Sequence, residues 1–310
     1  MLKDEYQRGS VTQPVDKLLR PVMVVVTALL AGACDLRHAA VLDPKGPIAL
    51  AERNLLFDAF LVMMVVIVPV IVLTLFFAWR YRASNTKAAY APKWAESARI
   101  DAITWLVPAL IVVAVAILVW RSTHKLDPYR PIDAALPPID VQVVAQDWKW
   151  LFIYPEQGIA VVNQLAFPNG RPVSLRITSD TVMNSFYVPQ LAGQIYAMAG
   201  MQTRLQLLAD QPGKFVGRNS MYSGGGFSDQ FFEVLSLSQA DFDAWVAKAK
   251  QAPAKLDAPT YTALTAKSRL HPITYYSAIE PKLFDSIIAK YTHAHHAPAA
   301  GSQPGGAPRR

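Results

Sequence analysis

Ile139–Tyr154, IDVQVVAQDWKWLFIY, is the stretch on which the fold turns. Its residues alternate and are rich in β-branched and aromatic types, which suits a pleated, half-buried strand rather than a helix. Similar short runs follow: VVNQLAFP, VSLRITS, NSFYVP, GQIYAMAG, MQTRLQLLA, GKFVGRNSMY and FFEVLSL. Gly, Pro, Asn or Asp stands between them. Short strands at near-regular spacing over about 100 residues predict a Greek-key β-sandwich or barrel.

Upstream the pattern is different. The 310 residues are 52% hydrophobic, high for a wholly soluble chain, and the excess lies in three runs. Ala59–Trp79 and Ala102–Trp120 each reach the roughly 20 apolar residues that a bilayer core requires. Val22–Ala33 is too short. It follows Lys17 and Arg20 and closes on the small residues Ala31, Gly32 and Ala33, so it reads as a leader. The lone cysteine, Cys34, comes next and has no internal disulfide partner. Its place predicts a lipoprotein site, with cleavage before Cys34 and a lipid on its sulfur; a buried or incidental thiol is the alternative. Between the two long runs lie Arg80, Arg82, Lys87, Lys93 and Arg99 against Glu96 and Asp101. Short basic loops stay cytoplasmic, which puts the N-terminus and the large C-terminal part outside.

Residues 1–33 are thus expected to be a leader, 34–56 an external segment without helix at its centre, and 57–121 a transmembrane hairpin with a cytoplasmic loop. Residues 122–138 form a proline-bearing linker and 139–237 the β-domain. Ser238, followed by Q-A-D and FDAWVAKAKQA, has the form of an N-capped amphipathic helix. With short helices predicted over Tyr261–Lys267 and Glu280–Tyr291, it makes 238–292 a helical extension. Residues 293–310 are expected to be a disordered tail. The fold class is therefore membrane-anchored α+β. The net charge of +7 is scattered, with no basic stripe interleaved with aromatics, so nucleic acid is not an expected partner.

Two N-out spans followed by a β-domain bearing D-W-K-W resemble subunit II of the haem-copper oxidases. Further family signatures are L-D-P-K-G at Leu42–Gly46, an acidic residue seven before a proline at Asp101–Pro108, N-S-F-Y-V-P at Asn184–Pro189 and Y-A-M-A-G-M-Q-T at Tyr196–Thr203. The resemblance implies a cupredoxin-like sandwich. In cytochrome c oxidases that domain holds two copper ions, using soft thiolate and imidazole ligands. At the corresponding positions this chain has Asn184 and Phe227 for the two histidines, Asn219 and Ser223 for the cysteines, Met221 for the glutamate and Gln230 for the methionine. No ligand set for a dinuclear site remains, since one thioether cannot hold it.

That pattern, with the extension motifs D-F-D-A-W-V-A-K, Y-x-x-L and F-D-S-I-I-A-K-Y, is similar to quinol oxidase subunits II, most closely the bo-type ubiquinol oxidases. The resemblance implies a non-catalytic subunit of an inner-membrane quinol oxidase that binds no cofactor itself. On this resemblance haems, copper and ubiquinol are expected in the partner subunit I, with other small membrane subunits and membrane lipid as further partners and cytochrome c not one. It also implies a proton-entry role for Asp101, with an interface anchor as the bland alternative. Trp148 matches an electron-entry position that here has no destination, so core packing or interface contact is expected of it and of Trp150. His293, His295 and His296 are expected to be solvated, His124 interfacial, and Arg53 and Asp58 either solvated or facing subunit I. The rivals are a copper-bearing cytochrome c oxidase subunit, which lacks its ligands here, and a non-respiratory envelope lipoprotein.

Overall fold

The computed structural model describes Val24, residues 39–87 and residues 97–295, with side chains as far as Thr292. The leader run (apart from Val24), Cys34 and the tail from His296 lie outside the described residues. The chain divides at Asp43 into two compact units. In the described part of the first, Ala39–Leu42 form a turn closed by Leu42 N–H on the Ala39 carbonyl (2.8 Å).

Helix α1 runs Pro47–Arg80 and helix α2 runs Ala98–Lys125. At about 1.5 Å per residue both exceed the hydrocarbon thickness of a bilayer. Their apolar side chains face outward on all sides, the opposite of a soluble helix, and they anchor the chain in a membrane. Helix α1 begins well before the apolar run, inside the segment expected to be irregular. Pro47 occupies its first turn, where a missing N–H costs nothing, so the Pro-Lys-Gly-Pro sequence marks a helix start and not a break.

The β-domain is two packed sheets. Strands β1 (Ile139–Gln146), β2 (Lys149–Tyr154), β3 (Ile159–Val162), β5 (Val173–Ser179), β8 (Thr203–Leu207) and β11 (Thr274–Tyr276) form one, in the order β11-β3-β2-β1-β5-β8. Strands β4 (Gln164–Pro168), β6 (Asn184–Val188), β7 (Ala192–Ala197), β9 (Gly213–Asn219) and β10 (Phe231–Leu237) form the other, in the order β4-β10-β9-β6-β7. The opening stretch is a hairpin. β1 and β2 pair antiparallel with Gln146 opposite Lys149, and the chain reverses through Asp147 and Trp148, the latter at φ 64°. Between the sheets Trp150, Phe152, Phe186 and Phe232 interlock, with Phe186 and Phe232 stacked at 5.0 Å and Trp150 edge-on to Phe186 at 5.4 Å. Such ring pairs add about 0.5–1.5 kcal/mol each beyond burial.

Strand β2 is buried at every residue, where simple alternation predicts one wet face. The cause is the extension, made of α3 (Gln239–Lys250), α4 (Ala258–Leu264), β11 and α5 (Leu283–His295). Leu256, Tyr261, Leu264, Leu283, Phe284 and Ile287 pack on Val144, Leu151 and Ile153 to form a second core on the sheet's outer face. Each large side chain so buried contributes about 1.5–3 kcal/mol. Ser238 caps α3, accepting from Asp241 N–H (3.1 Å). Helix α4 starts earlier than Tyr261 because Asp257 caps it, accepting from Thr260 N–H (3.0 Å). Helix α5 carries a helical backbone through His295, past residue 292 where the extension is expected to end. The side chains of His293, His295 and His296 lie outside the described residues.

Candidate functional site

The six positions that would hold copper in a metallated relative lie around the end of the sandwich where β6 starts and β9 ends. Four of them converge, and what converges is a closed set of amides and one hydroxyl. Asn219 sits at the centre. Its Nδ2 donates to Asn184 Oδ1 (2.7 Å), Gln230 Oε1 (2.9 Å) and Ser223 Oγ (3.1 Å). Its Oδ1 accepts from the backbone N–H of Ser185 (2.8 Å) and Met221 (3.0 Å). Gln230 Nε2 donates to Asn184 Oδ1 (3.0 Å) and more weakly to the Gln146 carbonyl (3.4 Å), while Ser223 Oγ donates to Gln230 Oε1 (2.9 Å). Asn184 Nδ2 closes the set on the Val182 carbonyl (2.8 Å).

Asn184, Asn219 and Gln230 are fully or almost fully buried. A buried amide left without partners costs about 1–3 kcal/mol, and here every amide group is partnered. The register explains the convergence: Asn219 lies opposite Phe186 across the β6–β9 pair, and Gln230 immediately precedes β10, which pairs with β9. Met221 joins only through its backbone N–H. The Phe227 ring instead contacts Tyr222, at 5.8 Å between centroids.

The four residues of D-W-K-W lie at the turn from β1 to β2, each engaged in a different way. Asp147 accepts from Thr181 Oγ1. Trp148, half-buried, lays its indole on the loop and donates from Nε1 to the Ser223 carbonyl (3.1 Å). A Cβ at Gly226 would overlap that indole, so the glycine run Gly224–Gly226 is the seat for the ring. Left-handed backbone at a tryptophan costs about 1–2 kcal/mol, which this packing offsets. Lys149 is buried, with Nζ donating to the Ala266 carbonyl (2.6 Å) and Ser268 Oγ (2.8 Å); burial lowers its pKa, opposed by the nearby Asp147. Trp150 belongs to the core.

The extension then covers Trp148 from outside. Arg269 and Lys267 stand over the indole at 5.7 and 5.9 Å, and Arg269 also donates to the Gly225 carbonyl. A second fastening is Asp180, whose side chain is 1% exposed. Its carboxylate accepts from Tyr261 OH (2.7 Å), Lys290 Nζ (2.8 Å) and Tyr291 OH (2.9 Å). Burial first, then the Asp180 charge and hydrogen bonds, raise both phenols, and the bond to Asp180 raises Lys290. The bonding of Lys149 and Asp180 is not legible in the sequence, because their partners lie far along the chain.

The comparisons with known proteins bear on this arrangement. Residues 155–230 match the family described as "Cytochrome C oxidase subunit II, periplasmic domain", and residues 250–295 match the "COX Aromatic Rich Motif". Cytochrome bo(3) ubiquinol oxidase subunit 2 of Pseudomonas aeruginosa is 52% identical over 278 residues, 90% of this chain and 82% of that one. The Pseudomonas putida protein of the same name is 50% identical over 85% of this chain and 83% of its own, and ubiquinol oxidase subunit 2 of Acetobacter aceti 49% over 86% of each. The chain belongs to the quinol oxidase subunit 2 family. It is thus a subunit of a multi-subunit oxidase. The aromatic-rich match spans the residues that build the second core and the cover over Trp148.

Copper does not fit the residues at this site. Soft thiolate and imidazole ligands are replaced by amides and a hydroxyl, and among the described residues no group of three or more His, Cys, Asp or Glu side chains could hold a metal ion. More directly, the centre is occupied by the N–H groups of Asn219, the positive ends of a dipole, which repel a cation.

Asp101 lies elsewhere, in the first turn of α2 and exposed. His124 closes α2 with its ring against Trp120 (4.5 Å). Arg53 donates to Asn54 Oδ1 (3.4 Å).

Proposed function

We propose that this chain is the structural, non-redox subunit II of a ubiquinol-oxidising terminal oxidase. The two-helix hairpin docks on the haem-copper subunit I, and the sandwich caps that subunit on the periplasmic side. One observation carries the reading: a saturated amide network stands where a relay metal would be held, and the extension seals the indole beside it. A chain built this way neither accepts electrons from a soluble donor nor passes them on. Quinol delivers them within the membrane to subunit I, where oxygen is reduced to water and protons are pumped. The basic loop between α1 and α2 supports a cytoplasmic turn, with the N-terminus and sandwich outside. A lipid on Cys34 adds a second anchor.

The test is assembly. Deleting residues 139–310 leaves subunit I poorly haemylated or unstable, read from visible spectra and yield of the purified complex. A truncated complex with full haem content and quinol oxidase activity overturns the reading. Asp101 is assigned to proton entry, where the chain crosses into the membrane from the cytoplasmic side. Asp101→Ala then slows proton uptake and turnover in a complex of normal haem content, and unchanged turnover there removes Asp101 from the path.

A further inference from the structure

Where the outer ends of α1 and α2 meet there is a cleft of about 410 Å³. One wall carries Asn54 and Asp58 from α1, the other Ser122 and Lys125 from α2, and Leu55 and Leu126 line it between them. These polar residues mark a single boundary on two helices: Asp58 directly precedes the apolar run Ala59–Trp79, and Ser122 follows shortly after Trp120 ends the run Ala102–Trp120. An aromatic residue at such a position belongs to the headgroup level of a membrane. The cleft is therefore at headgroup depth.

Its charges are uncompensated. Among the described residues neither Asp58 nor Lys125 makes a side-chain hydrogen bond or an ion pair. A negative wall faces a positive one across a space with room for a small polar group. Farther along α2 there is a separate apolar groove of about 580 Å³, which ends at Thr123 and His124 and shares no lining residue with the cleft.

We infer that this cleft binds a phospholipid with an aminoethyl phosphate headgroup. Lys125 Nζ and Ser122 Oγ donate to the phosphate, and Asp58 with the Asn54 carbonyl accepts from the primary ammonium. The lipid's acyl chains run from the cleft into the hydrocarbon layer beside the apolar spans of α1 and α2. A carboxylate paired with an amide oxygen calls for N–H donors, which phosphoethanolamine has and phosphocholine lacks. A phosphoglycerol headgroup satisfies the Lys125 wall but leaves Asp58 without a counter-charge.

The experiment is native mass spectrometry of the intact oxidase complex, delipidated and then titrated with phosphatidylethanolamine, phosphatidylcholine or phosphatidylglycerol of the same chains. Wild type retains one phosphatidylethanolamine in preference to the other two. Asp58→Asn lowers that retention about tenfold and leaves phosphatidylglycerol unchanged; Lys125→Gln lowers both. Lys250→Gln, on the exposed face of α3, changes neither. Haem content and subunit stoichiometry establish that each variant is assembled. The proposal is overturned if wild type retains no phospholipid, retains the three classes equally, or keeps its preference in assembled Asp58→Asn. A carboxylate pairing with subunit I in place of lipid gives the first of these outcomes.

Discussion

Asn219 shows how a ligand position becomes a structural one. Its side chain donates to three acceptors and accepts from two backbone N–H groups, so truncation strands several buried groups at once. Asn219→Ala is expected to cost about 3 kcal/mol or more, each stranded group contributing about 1–3, read as a lowered unfolding midpoint of the full-length chain. Asn219→Asp is expected to be worse at neutral pH, since it points a carboxylate at Asn184 Oδ1 and Gln230 Oε1 in place of a donor. Burial next to acceptors raises that carboxyl's folded pKa above its unfolded value, so the folded state binds the proton more tightly and the variant regains stability as pH falls. An Asn219→Asp chain as stable as wild type at pH 7 shows that the network contributes nothing.

At the scale of elements, the extension is fastened by Asp180 as much as by its apolar residues. Asp180→Ala leaves Tyr261, Lys290 and Tyr291 without their shared acceptor. The expected result is faster hydrogen exchange and proteolysis across α4 and α5, while exchange in β1 and β5 is unchanged. All three donors have folded pKa values raised above the ordinary 10.0 of tyrosine and 10.5 of lysine. Groups shifted in this direction contribute stability that is complete below the unfolded values and is lost as pH rises through the folded ones. The gap between wild type and Asp180→Ala therefore stays constant through neutral pH and closes only in alkali; a gap that closes near neutrality removes Asp180 as the fastening. Much of the element order was legible. VSLRITS and FFEVLSL are strands at the places their alternation marks, and Ser238 announces α3. The cover on β2 was not, because Lys149 meets Ala266 across 117 residues and Asp180 meets Lys290 across 110, and no local pattern encodes such pairings. Strand β11 escaped for a related reason: three residues, Thr274–Tyr276, become a strand only because the edge of β3 is there to pair with. The site divides the same way, since resemblance marks each ligand position singly, while their bonding to one another depends on the β6–β9 register.

For the whole molecule the decisive joint is the one between the hairpin and the sandwich. It is made by backbone. Lys45 N–H donates to the Gln190 carbonyl (2.8 Å) and the Lys45 carbonyl accepts from Asp210 N–H (3.0 Å). One residue on, a Cβ at Gly46 would overlap the Leu208 carbonyl oxygen, and one at Gly193 would overlap the Glu52 carboxylate. Gly46 has extended backbone, φ −154°, so its lack of a side chain serves close approach and not an unusual conformation. The K-G of the L-D-P-K-G signature therefore has a physical role, which is to seat the start of α1 against the sandwich. Gly46→Ala cannot be absorbed by a flexible side chain, because the obstacle is main chain. The substitution is expected to open the joint while leaving the sandwich folded, since Gly46 contributes nothing to the ring cluster of Trp150, Phe186 and Phe232. Cleavage in the linker at 122–138 by added protease should rise several-fold, and the yield of haem-replete complex should fall, at an unchanged unfolding midpoint of the sandwich. If the variant assembles fully with its linker protected, the backbone joint at Lys45 and Gly46 is not what fixes the sandwich on the hairpin.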